Sequence, residues 1–503
     1  MADPIYLDYA ATTPVDPAVA EAMSRCLTQP EGIGNASSTT HLFGRRVAER
    51  IEQARAEVAA LIGATPGEII FTSGATESDN LAVLGAARAN MHRGRHVVSA
   101  RIEHKAVLDP LKRLEKEGFA VTLLSPDRGG RIDPDTVAAA LRPETVLASI
   151  MLVNNEIGTI QDIAAIGDLC RARGVLFHTD AAQAAGKIPI DARALPVDFM
   201  SITAHKLYGP KGVGALYVRS GARAHLQPIV FGGGQERGLR PGTLPTHQIV
   251  GFGMACELAR RGLGAERARL AALRERLWQG LASLGGVHAN GHAKARGNGE
   301  PSPCVPGILN VSFEGVEGES LVTGLRELAV STGSACNSAS AEPSYVLRAL
   351  GRDTQLAQSS LRLSFGRFTL PQHIDLAVEA IRREVRRLRA LSPGSEPSAA
   401  PASPQEAVGE AGGPGQEAWI RLRLSVQDGL VKSALFKAYG CPHTLAVAAW
   451  VAERLRGRGR ADLVPGTPAE WADALAVPVE KLGRLLVVED ALADCARHWP
   501  EPG

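Results

Sequence analysis

The apolar run at residues 68–72 leads into Ser73-Gly74-Ala75-Thr76-Glu77-Ser78-Asp79-Asn80 before a helical pattern begins. Small residues at a helix start expose backbone N–H groups that, with the helix dipole, can cradle a phosphate, and Thr76 can add a hydroxyl. Taken alone, the segment is equally an ordinary capped helix start. A second run, 175–179, ends in His178-Thr179-Asp180-Ala181-Ala182-Gln183. Asp180 can hold a protonated ring nitrogen there and Gln183 can donate to a ring oxygen, while a helix cap is the plain alternative for Asp180. A third run, 198–203, leads into Ala204-His205-Lys206-Leu207-Tyr208-Gly209-Pro210-Lys211-Gly212. A lysine just past a strand, held in a Gly/Pro-rich turn, can form a Schiff base with an aldehyde cofactor, or it can be a solvated surface lysine. The three sites are stronger together. Asp180 followed 26 residues later by Lys206, with a cradle about 100 residues upstream, is the inventory a pyridoxal-phosphate enzyme requires.

The elements that must position these residues are short β-branched runs at 68–72, 95–100, 119–124, 145–153, 175–179, 198–203 and 213–218. Segments with helix spacing, such as 106–117 and 163–173, separate them. Apolar strands with helical crossovers predict an α/β fold with a mainly parallel sheet, whose ligand sits at the carboxyl ends of the strands. From about Thr246 the pattern is helical through Leu284, and 266–284 reads as a long helix joining a large domain to a smaller α+β one.

Nine motifs resemble the cysteine desulfurases. They are IYLDYAATTP (5–14), GNASSTTH (34–41), FTSGATESDNL (71–81), EHKAVL (103–108), VNNEIG (153–158), AHKLYGPKGVGALY (204–217), GGGQERGLRPGT (232–243), STGSACNSAS (331–340) and EPSYVLRALG (342–351). The resemblance covers roughly residues 4–392 and is strongest to the housekeeping branch that supplies iron–sulfur assembly. It implies the type I fold of pyridoxal-phosphate enzymes over 1–391, with a large domain at about 15–260 and a small one from the N-terminal segment and about 261–391. It also implies that Lys206 holds the cofactor, Asp180 pairs with the pyridine nitrogen, His104 stacks on the ring and handles protons, and Asn155 and Gln183 lie near the ring oxygen. Ala75, Thr76, Thr203 and His205 would bind the phosphate, with Thr243 reaching it from the second subunit of a homodimer. Thr203 stands where family members usually carry Ser, and it keeps the hydroxyl. Asn35, Asn155 and Arg362 would contact the substrate, L-cysteine, with the planar fork of Arg362 on its carboxylate.

Cys336 lies in a run of small and hydroxyl residues with little to pack, unlike Cys256 beside Met254 and Leu258, so it reads as the reactive thiol. The implied reaction has Lys206 take the α-proton of cysteine and the Cys336 thiolate attack the substrate sulfur, leaving a persulfide and alanine. A selenocysteine lyase or an aminotransferase shares the cofactor half, and an aminotransferase has no need of the Cys336 loop. A sulfur-relay platform protein is the rival from another class.

Composition bounds the rest. The chain has 503 residues, 45% hydrophobic and 21% charged, with 55 Lys+Arg against 53 Asp+Glu, so two or three folded units are expected and net charge argues for neither nucleic acid nor membrane as a partner. No leader or membrane-spanning run is evident, which predicts a cytoplasmic protein. The seven cysteines form no C-x-x-C pair and no disulfide framework.

Residues 392–416 contain five Pro, five Gly, four Ser and no Lys, Arg or aromatic residue, and read as a flexible linker that tethers the last 87 residues without fixing their place. That tail, 417–503, reads as a hairpin (419–426, 430–438) and a helix from about Pro442. It resembles the scaffold protein on which iron–sulfur clusters are assembled, in YGCPHT and VEDAL. Cys441 falls on one scaffold ligand position, but no cysteine precedes the first strand and Gly483-Arg484 stands where that family has His-Cys. Cys495, His498 and His443 offer an alternative zinc set with Cys441. The expectation is a degenerate module, used for docking or sulfur acceptance.

Overall fold

The chain is described by a computed structural model, which covers residues 3–292, 303–332, 343–393 and 405–500. Cys336 lies outside the described residues. A two-residue strand, β1 (Ile5–Tyr6), precedes the central sheet, whose strands are β2 (Ile69–Thr72), β3 (His96–Ala100), β4 (Ala120–Leu124), β5 (Thr145–Ser149), β6 (Leu176–Asp180), β7 (Phe199–Thr203) and β8 (Gly214–Val218). Their order is β2-β8-β7-β6-β5-β3-β4, and only β8 runs antiparallel to its neighbours. The six other strands therefore point their carboxyl ends to one edge.

Side chains alternate across each strand, so successive residues enter different cores. Val98, Ala148 and Met200 pack on one face, while Val97, Leu147 and Phe199 pack on the other. Both faces are covered. That is why the strands read as continuous apolar runs instead of alternating ones.

The helix Thr246–Ala282 runs 37 residues without a break, about 55 Å at the standard rise. Its first half places Ile249, Phe252 and Cys256 in the core of the large sheet, and its second half places Leu273, Leu277 and Leu281 in another. That second core lies against an antiparallel sheet of β9 (Val287–Asn290), β10 (Ile308–Phe313) and β12 (Ser360–Ser364), with the helix Pro371–Leu391 packed beside it. β1 pairs in parallel with β11 (Leu328–Ala329), so the N-terminal segment is bound to this smaller body.

The tail departs from expectation in two ways. The stretch read as linker contains β13 (Glu406–Gly413), which pairs with β14 (Ala418–Gln427), itself paired with β15 (Leu430–Tyr439) through an Asp428-Gly429 turn with both φ positive. Alanine and glycine are what β13 needs, because a Cβ on Gly409 would lie 2.2 Å from Ala491 O in the overlying helix Leu482–Arg497. Nor is the tail merely tethered. Ser320 Oγ donates to Gly440 O at 2.8 Å, Lys481 pairs with Glu319 at 2.8 Å, and Leu445 packs into both the tail core and the smaller body's core.

Candidate active site

A cavity of about 800 Å³ opens at the carboxyl edge of the central sheet. Lys206 ends the short turn after β7, Asp180 closes β6, and Ser73 to Thr76 form the turn after β2, so three neighbouring regions of one sheet edge meet there. Gly74 takes φ +152°, a value that disfavours side chains, and a Cβ there would face Thr203 Oγ1 at 3.8 Å. The helix Ala75–Ala89 starts at this point, and its first N–H groups have no side-chain cap. That is the geometry of an anion cradle. Glu77 braces it, accepting from Ser73 N at 2.7 Å and pairing with Arg240 at 3.0 Å.

Most of the residues expected at the site converge on this cavity: Ala75, Thr76, His104, Asn155, Asp180, Gln183, Thr203, His205, Lys206 and Arg362 all line it. Thr243 and Asn35 do not. Both are exposed in the single chain, and Asn35 Oδ1 accepts from Ser37 N at 2.9 Å, so within one copy neither reaches the cavity.

Asp180 is buried, with Oδ1 accepting from Ala182 N at 2.8 Å and Oδ2 left for another donor. Asn155 Oδ1 is buried without a partner. A buried unpaired acceptor costs stability unless a ligand supplies the donor. His104 caps the helix Lys105–Lys116 by accepting from Ala106 N through Nδ1 at 3.1 Å, so the neutral ring carries its proton on Nε2. Burial, and then the charge of Lys206, hold its pKa below the usual histidine value. His205 is pulled down to about 4, first by burial and then by Lys206, and its Nδ1 meets Thr12 Oγ1 at 3.2 Å. Both imidazoles are neutral near pH 7.

Arg362 is buried with its fork partly engaged. Nη2 donates to Asp8 at 2.8 Å, Nη1 donates to Asn155 O at 3.1 Å, and Nε has no partner. The charge of Asp8 settles the guanidinium while one edge remains for a carboxylate.

Sequence reasoning passed over several groups behind these. Asp79 is fully buried with both carboxylate oxygens unpaired, 3.5 Å from His178, and burial followed by the charge of Asp180 pushes its pKa well above the usual range. His178 spans Ser149 Oγ at 2.8 Å and Ser201 Oγ at 3.0 Å, and burial pulls it down to about 3. Glu156, on the cavity wall, accepts from Ser344 at 2.5 Å and is raised by burial to about 7. Asp8, Asp79, Glu156 and His178 all stand inside the motifs that carry the chemistry, but only burial distinguishes them from surface charges.

In the tail, Cys441 is fully buried and meets Thr444 Oγ1 at 3.4 Å. Arg484 pairs with Glu417. Cys495 lies elsewhere, with its thiol 3.9 Å from Leu422 O. Among the described residues no three His, Cys, Asp or Glu side chains gather as a metal site.

The family model described as aminotransferase class-V matches residues 5–376. The cysteine desulfurase IscS of Pectobacterium atrosepticum is 55% identical over 390 residues, spanning 78% of this chain and 95% of the relative. The chain belongs to the cysteine desulfurase family. The IscS of Azotobacter vinelandii is 56% identical over the same shares. Among solved structures, a NifS-like protein is 35% identical with a TM-score of 0.69, covering 76% of this chain and all of that one. SspA in complex with cysteine is 37% identical with a TM-score of 0.64, covering 73% and 99%. The protein is a desulfurase of class V, with the mainly parallel α/β architecture of type I pyridoxal-phosphate enzymes. No helix among the described residues is long and apolar enough to cross a membrane.

Proposed function

We propose that this desulfurase binds pyridoxal 5'-phosphate in the 800 Å³ cavity and converts L-cysteine to L-alanine while loading sulfur on Cys336. The observation that carries the reading is the meeting of Lys206, Asp180 and the uncapped helix start at Gly74 on one sheet edge, with an unpaired Asn155 acceptor between them. The residues fit the group. Lys206 would hold its aldehyde, Asp180 its ring nitrogen, Asn155 and Gln183 the region of its ring oxygen, and Ala75, Thr76, Thr203 and His205 its phosphate, joined by Thr243 of a second copy. When bound, the cofactor supplies an electron sink for the carbon bearing the substrate amine.

Arg362 receives the substrate carboxylate on its free edge, and Lys206 takes the α-proton as a neutral amine. The Cys336 thiolate attacks the substrate sulfur, so an S–S bond forms, the carbon–sulfur bond breaks, and its electron pair is protonated at carbon to give alanine. The thiol proton and the α-proton supply the balance, with His104 Nε2 placed to pass one of them. The persulfide then serves iron–sulfur assembly in the cytoplasm, with tRNA thiolation as a further use. The test measures alanine and sulfide formed from L-cysteine, together with the visible absorbance of the bound cofactor. Cys336→Ser should keep the absorbance and lose turnover; alanine formed at the wild-type rate would end the persulfide reading.

For the tail we propose a degenerate scaffold-like module that docks in cis. The full burial of Cys441 supports docking over sulfur acceptance. A chain ended at Gly394 should keep alanine formation and change the rate of sulfur delivery to an acceptor protein, and unchanged delivery to every acceptor tried would remove the docking role.

A further inference from the structure

Two ion pairs tie the turn Ser73–Thr76 to a loop more than 150 residues away. Glu77, whose Oε2 accepts from Ser73 N at 2.7 Å, receives Arg240 Nε on Oε1 at 3.0 Å. Glu236, four residues before Arg240, is gripped by Arg55, whose Nη1 and Nη2 donate to its two oxygens at 2.8 and 2.7 Å, and Phe71 N donates to Oε2 at 2.6 Å. Phe71 belongs to β2, the edge strand that runs straight into the turn. The loop therefore holds both the strand before the cradle and the helix after it.

These grips keep the loop in a shape that its residues do not favour. Glu236 (φ 47°, ψ 40°) and Arg237 (φ 59°, ψ 30°) stand in succession in the left-handed region, where a side chain is strained. Thr243 follows three residues after Arg240 and is exposed in the single chain. On the other flank of the loop Phe231 is 82% exposed and Val230 48%. A phenyl ring left open beside a pinned loop is apolar surface that another chain would cover. That agrees with a Thr243 that serves a second copy.

We propose that Glu77 and Arg240 are positioning residues that couple the two cavities of a homodimer, so that filling one cradle fixes the loop whose Thr243 completes the other, and pyridoxal phosphate loads cooperatively. The inference rests on the reading that the cavity holds pyridoxal phosphate and that Thr243 reaches the phosphate of a second copy. A phosphate on the N–H groups of the turn steadies Ser73 and Glu77, Glu77 steadies Arg240, and the braced loop keeps Thr243 in place. With the cradle empty the brace is weaker, the kink at Glu236 and Arg237 relaxes, and Thr243 leaves the neighbouring site. The coupling is reciprocal, because each copy lends a loop and receives one.

The test takes the full chain stripped of cofactor, fixes its oligomeric state by light scattering, and measures pyridoxal phosphate bound per chain by equilibrium dialysis. Wild type should load with a Hill coefficient of about 1.5, the second site filling about tenfold more tightly than the first. Arg240→Leu should bring the coefficient to about 1 and raise the half-saturating concentration about threefold. Glu77→Gln keeps an acceptor for Ser73 N but loses the ion pair, so it should load as Arg240→Leu does, and it covers the case in which that variant does not fold. In a Thr243→Val background, Arg240→Leu should change half-saturation by less than about 1.5-fold, because the group it positions is already gone. A threefold loss that persists in that background would show that Arg240 serves only its own cradle and would overturn the proposal. So would a wild-type dimer that loads with a coefficient of about 1, a monomer that loads fully, or a Glu77→Gln variant that loads like wild type. Wild-type protein that takes up no pyridoxal phosphate would instead sink the cofactor reading and the proposal together.

Discussion

The sheet-edge cavity and the tail treat buried polar groups in opposite ways. Around the cavity, Asp79, Asn155 and Arg362 carry buried polar atoms with no partner, and His205, His178, Lys187 and Glu156 are pushed toward their neutral forms. In the tail, the buried Trp471 indole donates to Pro465 O at 2.9 Å, Cys441 meets Thr444 Oγ1 at 3.4 Å, and Trp419 donates to Glu410 at 2.7 Å. Unpaired buried groups oppose folding, so they persist where a ligand completes them. The first region is built to receive something. The second is built to hold together and to hold on to the smaller body.

The sharpest break of this contrast is Lys206→Ala. Turnover of L-cysteine should fall about 10⁴-fold with loss of the visible absorbance, while the apo-protein melts no lower than wild type. Preserved turnover would remove the cavity from the chemistry.

Trp471→Ala is the mirror experiment, since it empties the tail core at a fully buried side chain. The tail should lose about 3–5 kcal/mol, read as early denaturant unfolding by tryptophan fluorescence, with alanine formation unchanged. Turnover that falls in step with tail unfolding would mean the two regions are one functional unit.

A smaller effect separates burial from chemistry. His178 has a folded value of about 3 against 6.5 when free, so the unfolded chain binds the extra proton between those limits. Its contribution is full above about 6.5 and is lost as pH falls, by about 1.4 kcal/mol per unit. His178→Gln should flatten the fall in melting temperature between pH 6.5 and 4.5; equal slopes in the two proteins would deny His178 that part. Least of all, Lys481→Ala breaks a partly exposed pair with Glu319 and should cost at most about 1 kcal/mol, read as slightly faster proteolysis of the tail from the body.

Much of the first region was legible because its signals are local. A lysine after a strand, a carboxylate at a strand end and small residues before a helix each occupy a few adjacent positions, and the apolar runs located β2 to β8 within a few residues. What escaped were groups whose meaning depends on burial. Asp79 and Glu156 are ordinary acids within their motifs until burial leaves the oxygens of one without hydrogen-bond partners and raises the other to about 7. In the tail the error ran the other way. Residues 406–413 have linker composition, yet an edge strand needs only its backbone to pair and small side chains to lie under a helix.

Sequence by itself determined the sheet and the family and placed Lys206 and Asp180 at strand ends, where their chemistry is proposed, because strand runs and family motifs are written in contiguous residues. Only the tertiary structure decided that the tail is seated on the smaller body, that Cys441 is buried, and that Asn155 and Arg362 keep buried atoms without partners at the cavity. These depend on residues tens to hundreds of positions apart, and their electrostatics depend on how much water the packed chain excludes.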